Sequence, residues 1–168
     1  MRRSALALPA LVAVVLAVSA AASPPPPSSI EGAARRLAPP GARIALAWEL
    51  NARFGVVAYV QRGRAKALAM RWTSDGWKVD RSWRTKIRAF EPHAGAVISR
   101  KPTFVAAWFG KRYRTGGGPL WLDGRYLYGL VDGYWVWKKP TPGWHTVVAE
   151  IDDGRSSAGA YAWRFRVR

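Results

Sequence analysis

The chain has 168 residues, with 27 Lys+Arg against 10 Asp+Glu and a formal net charge of +17. Hydrophobic residues make up 49% of it, which excludes a disordered polycation and allows a packed core. The absence of cysteine excludes disulfides, thiol nucleophiles and thiolate metal sites.

The first 22 residues read as a signal peptide. A positive "MRR" precedes the apolar run "ALALPALVAVVLAV", and "SAAAS" supplies small residues for cleavage after Ala22. The rival reading is an uncleaved anchor, but residues 5–22 are barely long enough to span a bilayer and contain Pro9. After cleavage no transmembrane segment is expected, and the mature chain keeps a charge of +15. Residues 23–42 read as a Pro-rich linker, stiff at "SPPPPSS", with at most one short helical turn in "IEGAARRLAPPGA".

From Arg43 the text changes. Apolar and aromatic runs of five to nine residues alternate with Gly, Pro, Asn and Asp, and no dozen residues keep a helical period. This pattern predicts an all-β fold. Residues 43–83 predict a β-meander with strands at 44–50, 54–61, 65–73 and 77–80. Further strands are predicted at 83–90, 103–109, 120–122, 125–130, 134–137, 145–151 and 160–167. Asp-Gly pairs at Asp75, Asp123, Asp132 and Asp153 supply tight turns, because both residue types tolerate positive φ.

The segments "IRAFEPHAGAVI", "KPTFVAAWF", "LWLDGRYLYG", "PGWHTVVAEIDDG" and "YAWRFRV" give residues 84–168 a resemblance to a known class. The order resembles that of immunoglobulin-like β-sandwich modules of exported bacterial proteins. The resemblance implies an antiparallel sandwich and an exported setting, with no one activity attached. Copper-resistance-type modules of similar fold bind copper through histidines, often one at the mature N-terminus. Here that terminus would be Ser23, and only His93 and His145 exist, so no copper or other cofactor is expected.

"PGWHTVVAEIDDG" has the composition of an active site but not the geometry. In a strand over 145–151, His145, Val147, Ala149 and Ile151 share the core face. Thr146, Val148, Glu150 and Asp152 share the other, expected to be the wetter one. Glu150 then lies about 16 Å from His145 along the strand, on the opposite side. His145 reads as a corner histidine bonded to nearby backbone. Ser99, Ser156 and Ser157 lack a nucleophile-elbow context, and "RTGGGP" is neither a phosphate loop nor a dinucleotide fingerprint. No catalytic residue, metal site or enzyme activity is expected. An enzyme of unknown class would need carboxylates from separate strands converging on His93 or His145.

The basic residues are more regular. Arg84, Lys86 and Arg88 alternate with apolar neighbours in "SWRTKIRAF", and Arg164, Arg166 and Arg168 do so in "AWRFRVR". If the two strands were neighbours, about 4.8 Å apart, the six cations would form one anion-binding patch. The expected partner is an anionic cell-envelope polymer or lipid surface. No nucleic-acid motif is present, so sequence-specific nucleic acid is not expected. Trp135 and Trp137 share a strand face and offer an alternative: a carbohydrate-binding module with an aromatic platform. The leading expectation is an exported, non-enzymatic binding or structural protein of the cell envelope. The sequence does not constrain its oligomeric state.

Overall fold

The computed structural model describes residues 28–168, except 84–85, 109, 111–117, 128–133 and 154. The expected signal segment, residues 1–22, and Arg84 lie outside the described residues. The described chain is all-β with antiparallel sheets, preceded by one helix, α1 (Ile30–Leu37). The strands are β1 (Arg43–Glu49), β2 (Phe54–Gln61), β3 (Arg64–Thr73), β4 (Gly76–Val79), β5 (Arg88–Glu91) and β6 (Val97–Ile98). They continue with β7 (Thr103–Trp108), β8 (Leu120–Leu122), β9 (Arg125–Tyr126), β10 (Tyr134–Trp137), β11 (Gly143–Asp152) and β12 (Ala158–Val167). Among the described residues no helix is long and apolar enough to cross a membrane.

Helix α1 occupies part of the stretch expected to be linker. Ser29 caps it by accepting the Gly32 N–H at 3.0 Å. Glu31 in the first turn and Arg35 and Arg36 in the last suit the helix dipole. Eight residues do not hold a helix in isolation, so packing must supply its stability. Ile30, Ala33 and Ala34 form the buried stripe, seated with Val57, Met70 and Trp77 on one face of the meander. Gly55 permits the approach: a Cβ there would lie 2.5 Å from Ile30 Cδ1.

The meander pairs in the order β1-β2-β3-β4. Arg62 and Gly63 turn β2 into β3, both at positive φ, as a two-residue hairpin requires. A second sheet has the order β10-β7-β5 and a third the order β6-β12-β11-β8-β9. The second and third sheets face each other across Ile87, Val105, Leu122, Val147, Trp163 and Phe165. The meander covers the opposite face of the five-stranded sheet through Leu46, Val56 and Ala58 against Trp121, Val148 and Ala162. The five-stranded sheet is therefore the middle of three layers.

This layering corrects the expectation for β11. Thr146, Val148 and Glu150 alternate away from His145 as predicted, yet all three are buried, because the meander takes the place expected for water. Small side chains make the fit. Ala65 and Ala67 of β3 pack with Ala160 and Ala162 of β12, and Cα atoms of the two strands come within 8 Å. Sheets faced with larger side chains stay about 10 Å apart.

The expected strand at 83–90 is also corrected. The strand found there, β5, joins the three-stranded sheet, not β12. The chain then crosses to the middle sheet, where β6 runs parallel to β12, with Val97 opposite Arg166. Three bonds tie the crossing to β12: Trp163 Nε1–H donates to Pro92 O at 2.9 Å, the Gly95 N–H donates to Arg164 O at 2.7 Å, and the Arg166 N–H donates to Ala96 O at 2.8 Å.

Candidate functional site

His145 finds its partners outside its own strand. One ring nitrogen, Nε2, donates to Thr141 O at 2.8 Å, which is the expected backbone bond. The other, Nδ1, lies 2.7 Å from Asp123 Oδ2, a carboxylate carried by the β8–β9 turn. Asp123 sits there at φ 51 and Gly124 at φ 81, conformations that an Asp-Gly pair accepts. The same carboxylate accepts the Thr146 N–H at 2.8 Å, while the Asp123 N–H donates to Thr146 O at 2.8 Å. The His145 ring is buried, edge-on to Trp137 at 4.7 Å and tilted against Phe165 at 5.6 Å. The arrangement staples a turn to β11 and leaves no ring nitrogen open to a substrate or metal.

Asp153, in the same stretch, serves a turn as well. Asp153 Oδ1 accepts the backbone N–H groups of Arg155, Ser156 and Ser157 at 2.7–3.0 Å. The Ser157, Ser156 and Arg155 N–H groups hold its carboxyl well below the usual carboxylate range. Glu150 is fully buried beneath the meander. His93 is exposed in the crossing loop. Among the described residues no group of three or more His, Asp or Glu side chains could hold a metal ion.

The predicted basic residues are distributed over two sheets. Lys86 is exposed ahead of β5, and Arg88 on β5 lays its guanidinium over Trp108 at 4.3 Å. Arg164 and Arg166 lie on β12 and Arg168 just after it; β5 does not join β12, so among the described residues these cations do not line up on neighbouring strands. Arg168 closes the chain end, its carbonyl accepting Arg100 Nε–H at 3.1 Å. Trp135 and Trp137 are half-buried against the core between the second and third sheets, so they do not form an exposed platform.

A different basic grouping emerges at the other side of β12. Arg164 and Arg166 continue the face that carries Ala160 and Ala162, just past the alanine seam. There the β2–β3 hairpin tip meets them: Arg164 Nη1–H donates to Gly63 O at 3.2 Å. The tip adds Arg62 and Arg64, with Lys66 next along β3, all exposed. Trp144 stands opposite Arg166 in the β11–β12 ladder, half in solvent, with the Arg164 guanidinium over its ring at 4.9 Å. A cleft of about 290 Å³ opens between Arg64, Gly95, Trp144 and Arg164. A second hollow, about 520 Å³, shares Arg64 and Ala65 with it but lies along Tyr59, Gln61 and Lys66, on the helix-side face of the hairpin. No carboxylate lines either.

Sequence reasoning assigned no role to Arg62, Arg64, Lys66 or Trp144. The available signal was "QRGRAK", where basic residues flank a glycine between two strands. Compared with protein-family models, curated proteins and solved structures, the chain matched nothing.

Proposed function

We propose that the protein is an exported, non-enzymatic binding protein of the cell envelope that holds an anionic polymer in the basic cleft between the β2–β3 hairpin and β12. One observation carries this reading: the hairpin tip with Arg62 and Arg64 meets Arg164, a hundred residues away, through the Arg164–Gly63 bond, with Arg166 next on that strand face, beside a cleft that no carboxylate lines. Exposed cations gathered without counter-charges attract polyanions over the range of a Debye length, about 8 Å at physiological salt. The turn and packing roles of His145, Asp123 and Asp153 support a non-enzymatic reading. The exported setting rests on the signal-like first 22 residues. The parallel β6–β12 pairing supports the immunoglobulin-like sandwich reading, because that fold often lays part of its first strand beside its last.

The test is retention of the mature chain on an immobilised polyanion, followed across a salt gradient. The parent should elute late and the Arg64→Ala/Arg166→Ala double variant early. Salt-insensitive elution, or coincident elution of parent and variant, would overturn the reading.

A further inference from the structure

We infer that the polymer held in this cleft is an acidic polysaccharide, with one sugar ring on Trp144 and its acidic substituents on Arg64 and Arg166. The inference rests on the anion-binding reading above and specifies the ligand. Charge alone would require only cations, yet the cleft also presents a tryptophan with 50% of its surface exposed. On β11 the residues that follow on its face, Thr146, Val148 and Glu150, are buried under the meander. Trp144 is the first residue beyond that cover, at the mouth of the cleft.

Its surroundings fix what it can take. The Arg164 guanidinium lies over the ring, holding the indole through a cation–π contact and supplying positive charge beside it. Arg164 also donates to Gly63 O, so it acts as a frame between the ring and the hairpin. Arg166, across the ladder from Trp144, and Arg64, across the cleft, are exposed. A ligand must therefore combine an apolar ring face with anionic groups at the ring's edge. A uronic acid or sulfated pyranose does so: its C–H face packs on indole, and its carboxylate or sulfate accepts the paired N–H groups of a guanidinium.

The space favours a chain of such units. At about 290 Å³ the first cleft is at the small end of ligand sites, room for about one ring at a time, so neighbouring units of a chain would run along the exposed Arg62 and Arg64 of the hairpin tip. A single-stranded nucleic acid fits less well. It draws on successive aromatic faces, whereas Trp144 is the one exposed aromatic lining the two hollows: Tyr161 is half-buried against the core, and Trp163 and Tyr59 are buried.

The experiment titrates the mature chain with polygalacturonate, its fully methyl-esterified neutral form, polyphosphate and oligo-dT, reading tryptophan fluorescence and affinity. Polygalacturonate should bind and the neutral ester should not. Trp144→Ala should weaken polygalacturonate about tenfold, equivalent to about 1.4 kcal/mol, and leave polyphosphate within about twofold. Trp144→Phe should recover most of the loss. Because Trp144 is half in solvent, both variants should keep the parent's melting temperature. Unchanged polygalacturonate affinity in Trp144→Ala would overturn the proposal, as would oligo-dT binding more tightly than polygalacturonate. Polyphosphate binding without polygalacturonate binding would also overturn it, yet leave the anion-binding reading standing. If no polyanion binds, both fall.

Discussion

Asp80 Oδ2 accepts the backbone N–H of Ala158 at 3.0 Å, tying the end of the meander to the start of β12 across 78 residues of chain. The same oxygen takes Arg71 Nη2–H at 3.0 Å, and Oδ1 takes the Ser82 N–H at 2.9 Å, with the side chain only 2% exposed. Burial pushes this carboxyl upward, but the Ser82 hydroxyl and N–H, the Ala158 N–H and Arg71 outweigh it and hold Asp80 below the usual carboxylate range. A carboxylate depressed in the folded state contributes stability that is present above about pH 4 and lost as pH falls through its folded value. Asp80→Asn keeps the shape and removes the charge. It should cost about 2 kcal/mol at pH 7. The gap to the parent should narrow in acid, where the parent's own carboxyl becomes neutral. Urea titrations at neutral and acid pH check both, and equal midpoints at pH 7 would refute the role.

Gly55 and Ser29 offer a graded test of how α1 is held. At Gly55 a methyl would meet both Ile30 Cδ1 and, at 2.7 Å, the Trp48 carbonyl, which belongs to the paired strand and cannot yield easily. Gly55→Ala should cost about 1–3 kcal/mol and lift the helix from the meander. Ser29→Ala removes one cap bond and should cost about 1 kcal/mol, with fraying confined to α1. Hydrogen exchange of the Ala33 and Ala34 amides, with thermal melts, orders the two. A larger loss from Ser29→Ala would reject packing as the main support of the helix.

These two regions also mark what local pattern reveals. Alternation and turn chemistry located β2, β8 and β10 to the residue, since each is a run bounded by turn-forming residues. The helix was obscured because eight residues flanked by prolines show too few turns for a period to register. The basic patch was misplaced for another reason. The strand expected at 83–90 gives way at Pro92 and Gly95 to a separate strand, β6, and which sheet each one joins depends on packing against distant strands. Likewise nothing in "HTVVAEI" indicates that a third layer covers its second face. Asp123 reaches His145 across 22 residues, a pairing that only the β8–β11 register creates.

The alanine seam predicts a strong dependence on side-chain size. Ala160 packs between the meander and the middle sheet, where β3 and β12 approach within 8 Å. Ala160→Leu would insert three heavy atoms where the opposing surface is Ala67 and its neighbours, and should cost about 1–3 kcal/mol. The strain should appear between layers, so limited proteolysis should release the meander before the remaining strands. Unaltered proteolysis and melting would show that the layers are not closely packed there.

His145 separates a structural reading from a chemical one. Its ring is wedged between Trp137 and Phe165, and its two nitrogens are taken by Thr141 O and Asp123. It faces the core between the second and third sheets, while Trp144 and the basic cleft lie on the opposite face of β11. His145→Ala opens a cavity between Trp137 and Phe165 and removes the ring that ties Thr141 O to the Asp123 turn, so it should cost about 3 kcal/mol. Below the variant's lower melting temperature, its salt-dependent retention on polyanion should equal the parent's. Asp123→Asn, which keeps an oxygen for the Thr146 N–H, should cost less. Stability and retention measured on the same preparations decide the matter. A His145→Ala protein that is fully stable but no longer binds would move the ring from scaffold to site.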